Sequence, residues 1–418
     1  MEGWKTELSQ EDSGGIPKLR RKLESEKRRN RLWVPGAVVL AVAAAIAIIV
    51  VAGPAADDSS LVVATPSLKP TPAKDPVTRF TVSTSGDLLI HSPVWLDALA
   101  NGGGEYDFGP MFEPIRRFIK GPALSICHVE TPITTGEPSG FPIFSAPSAL
   151  AGAIRKAGWR ACDTASNHSV DQAQVGIDET GELLDQAGVA HTGSFSSARD
   201  QKRTTIIRAG RAKVGLLAYT DATNGLPLPS PWSVNVLPAA EPAATKARIV
   251  ARDARRLKSA GADAILVNMQ WGDENSTSPN TAQRELARAI LSIDEVDAIA
   301  GQGPHVVQPI ERIGGKFVVF SAGNLLSNQG AHSGLPVGTQ DGLIALFRFR
   351  LQKGQSEVER IDYVPVWVTP YGHEILPAGL AGRSHPDYAA DLAASWQRTV
   401  DTAGIGGRIK PVPRKPRS

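Results

Sequence analysis

The sequence predicts an α/β fold with buried strands, preceded by one transmembrane helix. Short β-rich runs alternate with longer helical patterns between residues 79 and 400. Alternation of this kind indicates an α/β domain whose strands are buried. An uncharged apolar run near the N-terminus predicts the helix that precedes this domain.

The elements of the α/β domain follow in order along the chain. Seven β-rich runs predict strands at 79–86, 122–129, 159–166, 212–220, 262–270, 296–303 and 315–324. Four helical patterns fall between several of them, at Ala149–Ala157, Gly176–Ala187, Thr245–Ala260 and Thr281–Ile293. Late in the chain, 343–354 and 358–368 predict an antiparallel pair of strands because only a short turn separates them.

The N-terminal apolar run at 32–56 carries no charge, and about 20 apolar residues suffice to cross a bilayer as a helix. Residues 18–31 hold eight basic side chains against two acidic ones, so the positive-inside rule places the basic segment 1–31 in the cytoplasm. A cleavable signal peptide is the alternative, but the run exceeds the usual apolar region of such peptides, about 7–15 residues. The prediction is a single-pass protein of the cell membrane with its C-terminal domain outside.

The rest of the chain divides by composition. Residues 57–78 are rich in Pro, Ser and Thr and predict an extended spacer. A folded domain follows at 79–400, and 401–418 predicts a basic, disordered tail. Residues 1–31 carry nine Lys/Arg and six Asp/Glu, which leaves 36 of each for the remainder. Because the body is neutral, nucleic acid is excluded as a predicted partner.

Cys127 and Cys162 are the two cysteines of the chain, and both lie in apolar, strand-like runs. Outside the cell they could form a disulfide. The alternative is a pair of buried free thiols that behave as small apolar side chains. The sequence leaves both possibilities open.

Polar side chains of the kinds that bind metals recur where the predicted strands end. They are Asp87, His91, Glu130, Asn167, His168, Gln270, His305 and Asn324. Each has a simpler explanation alone, such as a turn residue for Asp87 or a helix N-cap for Asn167. Sites in open α/β sheets form outside the carboxyl ends of the strands, so the joint placement of these residues indicates a functional site.

Six motifs in this order resemble the capsule-synthesis protein CapA family: GDLLIH, HVETPIT, SNHSVDQAQVGIDET, QWGDEN, GPHVVQPIE and FSAGNLL. The resemblance covers about residues 80 to 370. That family is associated with poly-γ-glutamate capsule production and belongs to the calcineurin-like metallophosphatase superfamily. The resemblance implies a four-layer metallophosphatase-like α/β sandwich with a divalent-metal cofactor (Mn, Fe, Mg or Zn) between its sheets.

By this resemblance the metal ligands would be Asp87, His91, Glu130, Asn167, Gln270 and His305. His168 would be the catalytic residue, as a ligand or as a proton donor to the leaving group. Four further residues of the motifs are expected at the same site: Asp171, Trp271, Glu274 and Asn324.

The sequence departs from the family pattern at two ligand positions. Gln270 stands where the family usually has the histidine of His-Trp-Gly, and Gly303 stands at the first histidine of His-Pro-His. A carboxamide can still offer an oxygen, but glycine offers no side chain. The loss of two imidazoles weakens binding of soft metals and favours a centre with one ion only. His332 is an alternative imidazole.

Three functions are compatible with these residues. The first is a membrane-anchored surface factor in capsule, poly-γ-glutamate or related exopolymer assembly, whose partners are an anionic polymer or its synthase complex. The second is a metal-dependent surface hydrolase of phosphoester or amide bonds. The third is a non-catalytic structural member of the family, in which the strand-end residues only stabilise loops.

Overall fold

The computed structural model describes residues 76–412. The predicted cytoplasmic segment 1–31, the predicted transmembrane helix 32–56 and nearly all of the predicted spacer lie outside the described residues. Within 76–412, no helix has the length and apolar character needed to cross a membrane.

Nine α-helices occur in the described part of the chain. They are α1 (Ser92–Asn101), α2 (Gly109–Phe112), α3 (Arg116–Lys120), α4 (Ala149–Ala157), α5 (Ala173–Ala187), α6 (Ala198–Gln201), α7 (Ala243–Ser259), α8 (Thr281–Leu291) and α9 (Ala389–Ala403).

The strands of residues 76–412 number seventeen. They are β1 (Thr78–Leu88), β2 (Leu124–Val129), β3 (Ile133–Thr134), β4 (Ala146–Pro147), β5 (Ala161–Asp163), β6 (Ala190–Thr192), β7 (Ile206–Ala209), β8 (Ala212–Thr220), β9 (Ala264–Gln270), β10 (Ala298–Gln302), β11 (Ile310–Ile313), β12 (Lys316–Val319), β13 (Asn324–Leu326), β14 (Asp341–Gln352), β15 (Gln355–Val368), β16 (Ile375–Pro377) and β17 (Ile409–Pro411).

Most of the strands form two mixed sheets. The large sheet has the order β16-β15-β14-β1-β2-β5-β6, with β13 paired to β1 and β17 paired to β15. The small sheet has the order β11-β12-β10-β9-β8-β7. β1, β2, β5 and β6 run parallel in the large sheet, as do β8, β9, β10 and β12 in the small one. Each sheet therefore collects several carboxyl ends at one edge.

The two sheets pack face to face, and helices cover their outer faces. Val82 and Ile126 of the large sheet share one apolar cluster with Leu216 and Leu266 of the small sheet. On the other face of the large sheet, α1, α4 and α5 pack over β2 and β5. The outer face of the small sheet packs against α7 and α8. The order of layers is helix, sheet, sheet, helix, which is the arrangement that the resemblance implied.

The predicted helices are confirmed, with ends shifted by a few residues at most. Each helix end has a local cause. α8 begins after Asn280, whose side chain accepts a hydrogen bond from the Gln283 backbone N–H while the Gln283 side chain accepts one from Asn280. α5 ends at Gly188, which has the left-handed φ of 73° that a residue with a Cβ adopts only at a cost. The predicted antiparallel pair at 343–354 and 358–368 is also confirmed, as β14 and β15.

The C-terminal end differs from the prediction. Residues 401–418 were expected to be a disordered basic tail, but α9 continues to Ala403 and β17 pairs in parallel with β15. Apolar side chains explain the difference: Val400, Ala403 and Ile409 pack on the cluster between the sheets. The prediction is wrong for 401–412, and 413–418 lie outside the described residues. At the other end, β1 begins at Thr78, the last residue assigned to the spacer.

Cys127 and Cys162 form a disulfide that joins β2 to β5, with their Cα atoms 4.4 Å apart. The two residues are direct partners in the parallel ladder, and both side chains lie in the buried cluster on the helical side of the large sheet. Of the two possibilities that the sequence left open, the structure has the bonded pair.

Candidate functional site

The carboxyl ends of the two sheets meet through hydrogen bonds between side chains of one sheet and groups of the other. Asn268, near the end of β9, donates from Nδ2 to Asp163 Oδ2 at the end of β5, over 2.5 Å. Gln302, at the end of β10, donates from Nε2 to the carbonyl oxygen of Ser85 in β1, over 2.9 Å. The strand-end residues that the sequence singled out therefore belong to one region.

Asp87, His128 and Glu130 form the centre of this region. Each offers a ligand atom, and these atoms all lie within 4.8 Å of one another. Asp87 comes from the end of β1 and the other two from the end of β2. Because side chains alternate along a strand, His128 and Glu130 share the face opposite to Cys127. All three side chains are buried.

Asp163 contacts the Nδ1 ring nitrogen of His128. This nitrogen lies 2.6 Å from Asp163 Oδ1, and the other Asp163 oxygen accepts the hydrogen bond from Asn268. Burial would by itself lower the pKa of His128, but the negative charge of Asp163 and its hydrogen bond, with Asp87 and Glu130, raise the pKa to about 9.

His305 closes the centre on a second side. Its Nδ1 lies 3.1 Å from both Asp87 Oδ2 and Asn324 Oδ1, and its Nε2 lies 3.7 Å from Glu130 Oε1. Burial opposes protonation of this imidazole, but Glu130 and Asp87 outweigh it and raise the pKa of His305 to about 10. The pKa of Glu130 is raised, chiefly by burial and further by Asp87, although His305 opposes this.

His168 lies beside the centre in the loop that follows β5. Its Nδ1 is 2.8 Å from Asp171 Oδ2, and that same oxygen accepts from the backbone N–H of Phe144. The Phe144 ring packs edge-on against the His168 imidazole, with centroids 4.7 Å apart. Asn224 Nδ2 lies 3.3 Å from His168 Nε2. Asp171, which the sequence grouped with the site, therefore orients this imidazole.

Asn167 and Gln270 contact each other and not the centre directly. The Gln270 Nε2 donates to Asn167 Oδ1 over 2.9 Å, and Asn167 Nδ2 donates to Asn224 Oδ1 over 3.1 Å. The side-chain oxygen of Gln270, Oε1, has no hydrogen-bond partner among residues 76–412.

The other residues expected at the site lie farther out. His91 caps the start of α1, and its Nδ1 is 3.1 Å from the carbonyl oxygen of Leu89. Burial lowers the pKa of His91 to about 4. Glu274 is exposed, and His332 is an exposed side chain near Asn328. Trp271 belongs to the core under α8, where its indole donates to the carbonyl oxygen of Phe320 over 2.8 Å.

The residues present fit a divalent cation. Several buried polar atoms at these strand ends have no hydrogen-bond partner in the described part of the chain: Asp87 Oδ1, both Glu130 oxygens, His128 Nε2, Asn268 Oδ1, Gln270 Oε1 and Gln302 Oε1. Burying such groups without a partner costs free energy, and a cation would satisfy them. Carboxylate, carboxamide and imidazole are suitable ligands for Mn, Fe, Mg or Zn.

The sequence reasoning missed His128, Asp163 and Asn268. A signal for His128 was present, because it stands two residues before Glu130 in CHVETP and so on the same strand face. Asp163 and Asn268 lie inside runs that predict strands, where each was treated as part of an apolar segment.

Comparison with known proteins identifies the family of this chain. The sequence profile described as "Bacterial capsule synthesis protein PGA_cap" matches residues 81–329. Among curated relatives, "PGA biosynthesis protein CapA" of Bacillus subtilis (strain 168) is 30% identical over 220 residues, 52% of each chain. "Capsule biosynthesis protein CapA" of Bacillus anthracis is 26% identical over 214 residues, 51% of this chain and 49% of that protein. The chain spans about half the length of the curated relatives it matches.

Two solved structures are also similar to this chain. One is a phosphatase from Mycoplasma pneumoniae, with 11% identity, a TM-score of 0.41, and coverage of 70% of this chain and 95% of that chain. The other is a calcineurin-like phosphoesterase from Bacillus subtilis, with 12% identity, a TM-score of 0.42, and coverage of 77% and 100%. The family profile itself covers more than half of the sequence, from β1 to the loop after β13. This chain therefore belongs to the bacterial capsule synthesis protein family PGA_cap.

Proposed function

We propose that this protein acts in the assembly of a capsule, of poly-γ-glutamate or of a related exopolymer, as a membrane-anchored factor whose domain lies outside the cell. The observation that carries the proposal is the family match at 81–329, which contains every strand-end residue from Asp87 to Asn324. The uncharged run at 32–56, with basic residues before it, supports the anchor and the orientation.

The strand-end site is the proposed point of contact with the polymer or its synthase. Phe141 stands beside it, with 78% of its surface exposed, and packs edge-on against Phe144, which in turn contacts His168 and His91. An exposed aromatic side chain next to buried polar groups is a common feature of binding surfaces.

A metal-dependent hydrolase is the second candidate, and the His168–Asp171 pair favours it. Asp171 fixes the imidazole through Nδ1, so that Nε2, which lies 3.3 Å from Asn224 Nδ2, is the nitrogen that would exchange a proton with a substrate. A divalent ion would be held by the strand-end carboxylates and would, when bound, polarise a phosphoryl or carbonyl oxygen. In this candidate His168 positions or protonates the leaving group, and Asn167 and Asn224 hold the loop in place.

Complementation tests the proposed function. Cells that lack this protein would receive the wild-type chain, Glu130→Gln, or Glu182→Gln, a control on the exposed side of α5. We expect surface polymer to fall without the protein and with Glu130→Gln, and to be restored by wild-type and Glu182→Gln.

Unchanged polymer in cells without the protein would contradict the proposal. Full restoration by a stably folded Glu130→Gln would favour the third possibility, a structural role for the site. Release of phosphate or amine from model substrates by wild-type but not by His168→Ala would favour the hydrolase.

A further inference from the structure

The centre holds an imidazole that was not among the expected ligands, His128. Two expected imidazoles are replaced by Gln270 and Gly303, yet His128 enters the same region from β2. We propose that this chain binds a single divalent cation through Asp87, Glu130 and His128, and that Asp163 and Asn268 hold the His128 ring in its binding orientation. This inference deepens the proposed function, because it names the group that would hold an anionic substrate.

The ligand atoms are already assembled. Asp87, His128 and Glu130 each place a candidate ligand atom within 4.8 Å of the others, close enough for small side-chain shifts to bring the three atoms around one ion. All three side chains are essentially inaccessible to solvent, with exposures of 0%. Asp87 Oδ1, His128 Nε2 and both Glu130 oxygens form no hydrogen bond with any described residue. A buried carboxylate without any partner is costly, and a cation removes that cost.

The contacts of Asp163 select the nitrogen of His128 that binds. Asp163 Oδ1 accepts from Nδ1, so in the neutral ring the lone pair is on Nε2, the atom without a partner. Asn268 holds the second Asp163 oxygen from the small sheet. A carboxylate behind a ligating histidine fixes the tautomer and the ring orientation at many metal centres.

The ligand set accommodates one ion rather than two. The strands of the small sheet end here in the neutral carboxamides of Asn268, Gln270 and Gln302, Gly303 has no side chain, and the Asp221 carboxylate after β8 lies 3.3 Å from the Gly272 backbone nitrogen. His305 Nδ1 is engaged with Asp87 and Asn324. Among residues 76–412, Asp87, His128 and Glu130 are the one group of three or more such side chains whose ligand atoms lie this close together, so the structure supports a site for one ion.

The charge of the site suggests what the ion would bind. The groups that act most strongly on Glu130 and His305 are carboxyl and imidazole groups, including Asp87 and the exposed Glu274. An anionic substrate would meet these carboxylates unless a cation offset them. On the proposed function, the bound ion is the group that attracts carboxylate or phosphate oxygens of the polymer or its precursor.

Binding of Mn²⁺ alone to the purified full chain tests the proposal. The variants are His128→Gln, Asp163→Asn, His305→Gln and His191→Gln. His191 is a buried imidazole outside the site, two strands away from β2, and serves as the matched control. The number of ions per chain would come from elemental analysis, the affinity from equilibrium dialysis, and the nitrogen ligand from pulsed electron paramagnetic resonance.

We expect one Mn²⁺ per chain and a nitrogen signal in the wild-type protein and in His191→Gln. His128→Gln should lose the nitrogen signal and bind at least about 10-fold more weakly, and Asp163→Asn should keep the signal but bind about 10-fold more weakly. If His128→Gln does not fold, Asp163→Asn and a wild-type sample with ¹⁵N-labelled histidine still test the imidazole.

Two results would overturn the inference: no ion bound by the folded wild-type chain, or a nitrogen signal that survives in His128→Gln and is lost in His305→Gln. These failures are separable from failure of the proposed function. An ion held by His128 in a protein whose removal leaves surface polymer unchanged would refute the function and retain the site. If surface polymer depends on this protein but the protein binds no ion, the function would stand and the metal site would be refuted.

Discussion

The two sheets end at the same place but contribute different chemistry. At the carboxyl ends of the large sheet lie charged or chargeable groups, Asp87, His128, Glu130 and Asp163. At the corresponding ends of the small sheet lie the neutral carboxamides of Asn268, Gln270 and Gln302, with Asp221 after β8 and His305 after β10, neither of which belongs to the three-ligand group. Topology alone makes the two edges equivalent, so the difference lies in side-chain chemistry: the three candidate ligands Asp87, His128 and Glu130 all belong to the large sheet.

The largest effect is expected from Glu130→Gln. Both Glu130 oxygens are buried without hydrogen-bond partners in 76–412, so they are the candidate ligands with most to lose. This change should weaken Mn²⁺ binding by more than about 100-fold. Mutating a residue that only orients a ligand typically costs about 10- to 100-fold in affinity. In the ion-free protein the change removes a buried negative charge near Asp87 but also the partner of the His305 imidazole, so the melting temperature without Mn²⁺ should change little. Thermal unfolding with and without Mn²⁺ measures both effects. An equal rise in melting temperature on adding Mn²⁺ to the wild-type protein and to Glu130→Gln would contradict this account.

Gly303→Ala tests why the small sheet lacks an imidazole at this position. Gly303 has φ +107°, and a Cβ there would lie 2.9 Å from the Trp271 carbonyl oxygen. We expect a loss of about 1–3 kcal/mol in the free energy of unfolding, the usual cost of a strained backbone. Gly152→Ala, on α4 with open space around the Cβ, is the control and should not destabilise. If Gly303→Ala and Gly152→Ala change the free energy of unfolding equally in denaturant titrations, the backbone at Gly303 is not strained by a Cβ.

Gln270→Leu should show whether the small sheet contributes to stability without contributing to Mn²⁺ binding. It removes the hydrogen bond to Asn167, worth about 1 kcal/mol of stability. Because Gln270 lies outside the three-ligand group, Mn²⁺ affinity should stay at the wild-type value. Equilibrium dialysis measures this. A large loss of affinity would show that the small sheet contributes a ligand after all.

The prediction most remote from the ion site concerns a carboxylate at the opposite end of the strands of the small sheet. Asp297 precedes β10, and burial raises its pKa from 3.8 to about 6, although Ser356, the Ile265 backbone N–H, Lys258 and Lys316 oppose this. The folded state therefore binds the proton more tightly than the unfolded state, and Asp297 lowers stability as the pH rises from about 4 to about 6.

Asp297→Asn should remove this decrease, about 3 kcal/mol at most for a shift of this size. Urea titrations of both proteins at several pH values between 4 and 7 measure the difference. An identical pH dependence for wild-type and variant would contradict the raised pKa.

The sequence predicts much of the fold because the relevant signals are local. Apolar runs mark β8 and β9, and a short turn between two such runs marks β14 and β15. The edge strands β7 and β11 were missed because each is only four residues long and partly exposed. At the site, Asp87 and Glu130 follow apolar strands and are visible in the sequence. The Asp163–Asn268 contact is not, because it joins residues 105 apart whose proximity depends on how the two sheets stack.

The disulfide bears on how this protein should be prepared. Cys127 and Cys162 immediately precede His128 and Asp163, so the crosslink ties together the two strands that carry the imidazole and the carboxylate behind it. Protein made in a reducing compartment, or purified with thiols, would lack this tie directly behind the ligands. Thiols also bind metal ions themselves. Ion-binding measurements should therefore use chain that was oxidised during production, with thiol content checked before each titration.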